Sequence, residues 1–295
     1  MVVVGADRMA TDRVGLSWRA ELAAGIFAHR DQIDLVEVIA EDYFQAPASR
    51  LRALETLARQ IPVVLHGIGL GPASAAPVEN FRLERLARLV DRIRPEFWSE
   101  HLAFVRGGGI EIGHLAAPPR TSATVEGAAE NLRRAAALVG ARPLVENIAT
   151  LIDPPGSVMR ESDWIAQILT AADCDLLLDL HNLHANGLNH GYDPASFLRA
   201  IPAKRIGAIH LAGGRTIPLS GGGTRLLDDH LHDVPDAVYE LLEQVAALAP
   251  QPLTVILERD GDYPPIERLL AEVELAREAL RRGRQRRNHH ERAAS

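Results

Sequence analysis

The chain has 295 residues, 47% hydrophobic and 24% charged, which is typical of a globular protein with ample material for a core. No run approaches the roughly 18 apolar residues of a membrane span, and the single Cys174 excludes an intramolecular disulfide and a thiolate-held metal cluster. The net charge is −7; residues 281–295 hold six Arg and one Glu, so the rest of the chain carries −7 − 5 = −12. Because no run could span a membrane, we expect a cytoplasmic protein with no membrane contact. An acidic body repels a phosphate backbone, so we expect no nucleic-acid partner.

In chain order, short apolar runs alternate with segments of helical period. The runs lie near Val14, Leu35, Val63, Phe97, Leu144, Leu176, Ile206 and Val255 and predict eight strands. Apolar residues three or four positions apart predict helices over Arg19–Arg30, Ser49–Gln60, Asn80–Arg94, Thr124–Val139, Glu161–Ala172, Val234–Leu248 and Pro265–Arg281. Eight such repeats favour an α/β protein with a closed (β/α)8 TIM barrel. No Gly-x-Gly-x-x-Gly follows the first strand, which argues against a dinucleotide-binding sheet.

The chain is predicted to form one domain. We expect a flexible N-terminus over residues 1–12, a single TIM-barrel domain over residues 13–280, and a disordered basic tail over residues 281–295, because the tail has no apolar periodicity. Longer insertions over residues 106–121, 182–192 and 213–233 follow predicted strands and are expected to form the rim and lid of the barrel mouth.

Seven apolar runs end on His or carboxylate residues, or lead directly into them. They cover residues 63–67, 97–101, 143–147, 176–181, 206–210, 226–230 and 255–260. The C-terminal ends of all strands in such a barrel face one mouth, where we expect seven side chains to converge: His66, Glu100, His101, Glu146, Asp179, His210 and Glu258. Imidazole and carboxylate ligands without thiolate suit iron, manganese or zinc, and this many ligands predicts two or three bridged ions.

The same residues resemble the multinuclear non-haem iron-dependent oxidase family, also called DUF692 or UPF0276, which includes the methanobactin-biosynthesis oxidases. Eight motifs carry the resemblance in one order between about Val14 and Leu270, which is far more specific than any one of them. They are His66-Gly67, Ser99-Glu100-His101, Glu146-Asn147, Leu178-Asp179 with Asn182, Asn189-His190-Gly191, His210-Leu211-Ala212-Gly213, Asp228-x-His230 and Glu258-x-Asp260.

The resemblance implies a xylose-isomerase-like barrel that holds two to three irons, as a mixture of Fe(II) and Fe(III), with O2 as co-substrate. It implies that the enzyme modifies a ribosomally synthesised precursor peptide, most often at Cys, with a separate protein that binds the leader of the peptide. By position, the first iron is assigned to His66, His101, Glu146 and Glu258, the second to Asp179 and His210 with Glu146 and Glu258 bridging, and the third to Asp228, His230 and Asp260.

Three residues depart from the family pattern. His181 and His184 stand where many members carry Asn and an aromatic residue, and Arg120 stands where a Tyr is common. We expect six residues near the mouth to support the ligands or contact the substrate: Glu100, Asn147, His181, Asn182, His184 and His190. His181 alternates with Asp179 along the chain, so a role as a further ligand stays open beside that of a hydrogen-bond donor to a ligand.

Two other functions stay open at this point. A metal-dependent hydrolase or isomerase on a barrel like that of xylose isomerase or endonuclease IV would use similar ligands, because zinc accepts the same His and carboxylate donors. A non-catalytic metal-binding protein of a peptide pathway would bind metal without consuming O2. Metal identity and O2 consumption distinguish these functions from the oxidase.

Overall fold

The computed structural model describes residues 11–74 and 76–294, within which the chain forms twelve strands and ten α-helices. The strands are β1 Arg13–Ser17, β2 Val36–Ile39, β3 Val63–Gly67, β4 Trp98–His101, β5 Phe104–Gly107, β6 Ile110–Ala116, β7 Leu144–Glu146, β8 Asp175–Asp179, β9 Ile206–Leu211, β10 Gly214–Pro218, β11 Thr224–Asp228 and β12 Thr254–Leu257. The helices are α1 Ala23–Ala28, α2 Glu41–Phe44, α3 Ala48–Ala58, α4 Asn80–Ile93, α5 Ser122–Val139, α6 Glu161–Ala172, α7 Leu180–His190, α8 Pro194–Ala200, α9 Asp236–Leu248 and α10 Ile266–Ala294.

Eight of these strands close into a parallel barrel, in the order β1-β12-β9-β8-β7-β4-β3-β2. They coincide with the eight predicted apolar runs, so the predicted (β/α)8 architecture is confirmed. The helices cover the barrel with their apolar stripes; in α4, for example, Leu83, Leu86 and Leu89 are buried. The buried strand residues make a packed interior, which leaves the C-terminal strand ends as the place for polar chemistry.

Two antiparallel hairpins form part of the rim of the mouth. Strands β5 and β6 pair within the predicted insertion after β4, and β10 and β11 pair within the predicted insertion after β9. The third predicted insertion, over residues 182–192, is wrong for most of its length, because α7 continues to His190 directly after β8. Its Leu180 and Leu183 are buried, but so are Asn182, Asn186 and Asn189, which form hydrogen bonds with neighbouring segments. These buried polar residues interrupt the apolar period that predicts a helix.

The structure of the basic C-terminal segment also differs from the prediction. Helix α10 runs through to Ala294, so residues 281–294 are helical rather than disordered. A Cβ on Gly283 would lie 2.3 Å from the backbone oxygen of Glu243, so this glycine permits a close approach to α9. Arg284 donates to the backbone oxygen of Ala246 (3.0 Å) and to Asp12 Oδ1 (2.6 Å). Arg284 therefore satisfies a backbone carbonyl group near the C-terminal end of α9.

The predicted flexible N-terminus falls mostly on residues 1–10, which lie outside the described residues. Over residues 11–74 and 76–294, we find no helix that is long and apolar enough to span a membrane.

Candidate metal centre

The strand ends bring the predicted ligands together in two buried groups. The ligand atoms of His66, His101 and Glu146 lie within 4.8 Å of one another, and so do those of Glu146, Asp179, His210 and Glu258. Strand register produces this proximity, since His101 is the partner of Glu146 between β4 and β7, and Asp179 is the partner of His210 between β8 and β9. Glu146 belongs to both groups and joins them.

The distances between these atoms suit shared cations. His66 Nε2 and His101 Nε2 each lie 3.3 Å from Glu146 Oε2. His210 Nδ1 lies 3.6 Å from Glu146 Oε1 and 3.0 Å from Glu258 Oε2. Within the described part of the chain, three of these buried atoms have no hydrogen-bond partner: Glu146 Oε2, Asp179 Oδ2 and His210 Nδ1. A buried polar atom without a partner costs about 1–3 kcal/mol, so this donor set fits metal ions that would satisfy these atoms.

The second ring nitrogen of each histidine has a partner of its own. His66 Nδ1 lies 2.8 Å from Ser99 Oγ, His101 Nδ1 lies 3.2 Å from the backbone oxygen of Gly67, and His210 Nε2 lies 3.0 Å from Glu37 Oε2. Metal-binding histidines are commonly oriented in this way. The sequence patterns above predict no role in the site for Ser99 or Glu37. Each is a polar residue inside an otherwise apolar run, and this is the feature that could have marked them as part of the site.

Asparagine side chains hold Asp179 in place. Asn147 Oδ1 accepts from the backbone N–H of Asp179 (2.9 Å), and Asn147 Nδ2 donates to its backbone oxygen (2.9 Å). The backbone N–H of Asn182 donates to Asp179 Oδ1 (2.6 Å), which leaves Oδ2 for another partner. Glu100 accepts from the backbone N–H groups of His101 (2.9 Å) and Leu70 (3.0 Å), so it fixes the backbone beside the first group. Asn147, Asn182 and Glu100 thus lie beside the two groups, and their supporting role stays a prediction.

The third predicted set, Asp228, His230 and Asp260, is more open. His230 Nε2 lies 2.8 Å from Asp228 Oδ1, and His230 Nδ1 lies 3.4 Å from Asp260 Oδ2 and 3.5 Å from Glu258 Oε2. The side chain of Asp260 is 44% exposed and is bonded to Arg19. Both ring nitrogens of His230 are buried without a hydrogen-bond partner among the described residues, so they also fit a cation.

The resemblance assigns Glu258 to the first iron and makes it a bridge to the second. The structure groups Glu258 with the residues of the second, Glu146, Asp179 and His210, and also sets it beside His230. Of the residues in the two buried groups, Glu146 is the one they share.

Three other predicted residues lie outside the two groups. His184 is half-buried on α7, and His190 Nε2 lies 2.9 Å from Thr150 Oγ1. Arg120 is bonded to Asp153 and to the backbone oxygen of Met159 (3.3 Å). These contacts place the side chains of Arg120 and His190 against the connection between β7 and α6, which carries their partners.

The clustered charges shift the pKa values of the ligands. Burial by itself lowers the pKa of His101, but the carboxylates of Glu146 and Glu100 raise it to about 9. Burial also opposes protonation of His210, yet the carboxylates of Glu258 and Glu37 hold its pKa well above its ordinary value. Burial and the charge of Glu146 raise the pKa of Asp179 well above its usual range. The metal-free centre therefore holds protons that a metal ion must displace.

We predict that the metal-free protein binds Fe(II) more strongly as the pH rises through neutrality to about 9. In the metal-free protein, His101 is protonated below about pH 9, and a metal ion that binds there must displace this proton. The metal affinity therefore rises about tenfold per pH unit, for each proton displaced, up to about pH 9. Affinity is correspondingly lost as the pH falls. Anaerobic Fe(II) titrations at several pH values measure this dependence, and an affinity independent of pH would contradict the protonated metal-free centre.

Comparison with known proteins identifies the family. The family described as the RiPP precursor modification enzyme MbnB/TglH/ChrH, which acts on precursors of ribosomally synthesised and post-translationally modified peptides, matches residues 13–281. The match covers the barrel and both ligand groups. The chain belongs to this family.

Membership makes the chain a peptide-modifying enzyme of the UPF0276 group, as its motifs predicted. A UPF0276 protein of Anaeromyxobacter sp. is 36% identical over 265 residues, which cover 90% of this chain and 91% of that protein. A UPF0276 protein of Caulobacter vibrioides is 33% identical over 274 residues, which cover 92% of this chain and 96% of that protein.

Solved structures show the fold of this RiPP precursor modification enzyme. L-ribulose 3-epimerase matches with a TM-score of 0.59 at 15% identity, covering 97% of this chain and 98% of that one. A xylose isomerase domain containing protein of Salmonella typhimurium matches with a TM-score of 0.60 at 14% identity, covering 92% and 98%. Endonuclease IV of Thermus thermophilus matches with a TM-score of 0.53 at 17% identity, covering 92% and 98%. These likenesses confirm the xylose-isomerase-like barrel and concern the fold alone.

Proposed function

We propose that the chain is a multinuclear non-haem iron-dependent oxidase that uses O2 to modify its precursor peptide, at a Cys residue. One observation carries this proposal: two buried groups of His and carboxylate ligands share Glu146 and contain ligand atoms without partners among the described residues. Imidazole and carboxylate ligands suit iron, and carboxylate bridges suit a pair of ions. Membership of the family supports a precursor peptide as the substrate.

The proposed ligands follow the observed grouping. His66, His101 and Glu146 would hold the first iron, and Glu146, Asp179, His210 and Glu258 the second. Asp228, His230 and Asp260 would hold a third, more exposed ion. Iron, when bound, supplies one-electron redox chemistry with O2 and Lewis acidity toward a thiolate.

The chain orients the ligands and sets the charge of the centre. Ser99, Glu37 and the Gly67 carbonyl fix the three imidazole rings, so each presents its remaining nitrogen to the centre. The carboxylates of both groups supply the negative charge that ferric iron requires, and the apolar barrel interior beneath them excludes water. The substrate would enter from the side of Asp228 and Asp260, where the centre is most exposed.

Two partners complete the proposal. The precursor peptide is the substrate, and a separate leader-binding protein would deliver it, as the resemblance implies. We place the reaction in the cytoplasm, where ribosomal peptides are made.

The test combines metal analysis with an oxygen-dependent assay. We expect protein purified without added metal to carry two to three equivalents of iron, because the donor set suits it. After anaerobic Fe(II) reconstitution, admission of air should produce a mass change on the Cys of a precursor peptide encoded beside this protein, with its leader-binding partner present. A matched sample kept anaerobic is the control. Stoichiometric zinc, together with product formation that needs no O2, would favour a hydrolase or isomerase instead.

A further inference from the structure

The β10–β11 hairpin carries part of the metal centre, and α7 holds it in place. The hairpin ends on Asp228, and His230 follows two residues later. Asn189 of α7 accepts from the backbone N–H of Leu226 (2.8 Å) and donates to its backbone oxygen (3.0 Å). Two of the three residues of the third set, Asp228 and His230, are thus positioned by a hairpin outside the barrel sheet, whereas Asp260 and the ligands of the two buried groups lie on or shortly after barrel strands.

His181 makes a second contact between α7 and this hairpin. It lies two residues after Asp179, it is fully buried, and its Nδ1 lies 2.8 Å from Asp228 Oδ1. A carboxylate oxygen only accepts, so Nδ1 carries the hydrogen and donates it. Gly214 is the register partner of Asp228, and a Cβ on it would lie 2.7 Å from His181 Cε1. The glycine therefore leaves a slot that fixes the plane of the ring.

We propose that His181 is a positioning residue for the third metal ion, through its hydrogen bond to Asp228. This inference rests on the proposed metal centre. The side chain of Asp228 is 21% exposed at the end of a two-stranded hairpin, outside the barrel sheet. His181 Nδ1 lies on one side of Asp228 Oδ1, and the ligand nitrogen His230 Nε2 lies at the same distance of 2.8 Å from that oxygen. The bond from the fully buried His181 therefore orients the carboxylate of Asp228 toward His230 before an ion binds. Loss of such an outer partner typically weakens metal binding about 10- to 100-fold.

Two substitutions separate the hydrogen bond from the packing of the ring. His181→Phe keeps a flat ring in the slot beside Gly214 and removes the donor. His181→Asn removes the ring and places an amide donor close to the position of Nδ1. The proposal expects His181→Asn to retain the third ion and His181→Phe to bind it about 10- to 100-fold more weakly. A residue needed only for packing would show the opposite order.

The experiment titrates metal-free protein with Fe(II) alone under anaerobic conditions, and counts the equivalents retained after gel filtration. Wild type and His181→Asn should retain three, and His181→Phe two, with unchanged thermal unfolding of the metal-free proteins. His114→Phe, at an exposed histidine on β6, is the matched control and should retain three.

Three outcomes would overturn the role of His181. They are retention of three equivalents by His181→Phe, loss of the third by both variants, and a wild-type protein that binds only two. The first two equivalents and the oxygen assay test the proposed oxidase separately, so failure of this inference leaves that function standing.

Discussion

Replacing Glu146 with Gln is expected to remove iron from both buried groups and to abolish peptide modification. Glu146 Oε2 lies 3.3 Å from both His66 Nε2 and His101 Nε2, and Oε1 lies 3.6 Å from His210 Nδ1. Gln keeps the shape of the side chain but removes the charge, so both groups lose their shared anionic ligand. Activity should fall by more than about 100-fold, since loss of a mere outer partner already costs up to that amount.

Iron content per protein and product formation measure this effect, with thermal unfolding of the metal-free variant as a folding check. The variant should fold, because Gln removes a buried carboxylate whose Oε2 has no hydrogen-bond partner among residues 11–74 and 76–294. Glu161→Gln is the matched control for iron content, because Glu161, the first residue of α6, accepts from Tyr192 Oη (3.2 Å) and belongs to neither group. Full iron content in Glu146→Gln would refute the shared ligand.

Glu258→Gln is expected to cost more iron and more activity than Asp260→Asn. Glu258 is 7% exposed, its Oε2 lies 3.0 Å from His210 Nδ1 and 3.5 Å from His230 Nδ1, and it therefore stands between the second group and the third set. Asp260 is far more exposed and is already paired with Arg19. Removing the charge of Glu258 thus disturbs two ions, whereas removing that of Asp260 disturbs one.

Both variants are compared by iron equivalents and by oxygen-dependent product formation under one set of conditions. We expect Asp260→Asn to retain the two ions of the buried groups and lose only the third. Each variant is the control for the other, because both replace a carboxylate by its amide at positions only two residues apart. Equal losses in the two variants would contradict this assignment of Glu258.

Sequence patterns were sufficient for the barrel and for the identity of the proposed ligands. Apolar runs predict buried strands because strand interiors are packed on both sides, and the first polar residue after such a run marks the strand end. His66, His101, Glu146, Asp179 and His210 all lie at such ends in the structure. Closure of the parallel barrel then brings these residues to one mouth. The fold class and the list of proposed ligands therefore follow from the order of apolar and polar residues along the chain.

The same pattern failed where polar contacts between distant segments decide the structure. Helix α7 buries Asn182, Asn186 and Asn189 beside Leu180 and Leu183, and the asparagines bond to backbone oxygens 35 to 39 positions away. Buried polar residues of this kind interrupt the apolar period that predicts a helix. The segment 281–294 is helical because Gly283 and Arg284 fit against α9. Composition reports only that this segment is basic, which is equally true of a disordered tail.

The sequence by itself determined the eight-stranded barrel, the residues at its mouth and, through their ordered motifs, the family. The tertiary structure decided which ligands share an ion: strand register places Glu146 beside His101, while the path of the chain after β12 places Glu258 beside His210 and His230. It also decided that Ser99 orients a histidine on the neighbouring strand and that Glu37 orients one three strands away around the barrel. The physical reason is that periodicity and burial are properties of one segment, whereas distances of about 3 Å depend on how all segments are staggered around the closed barrel.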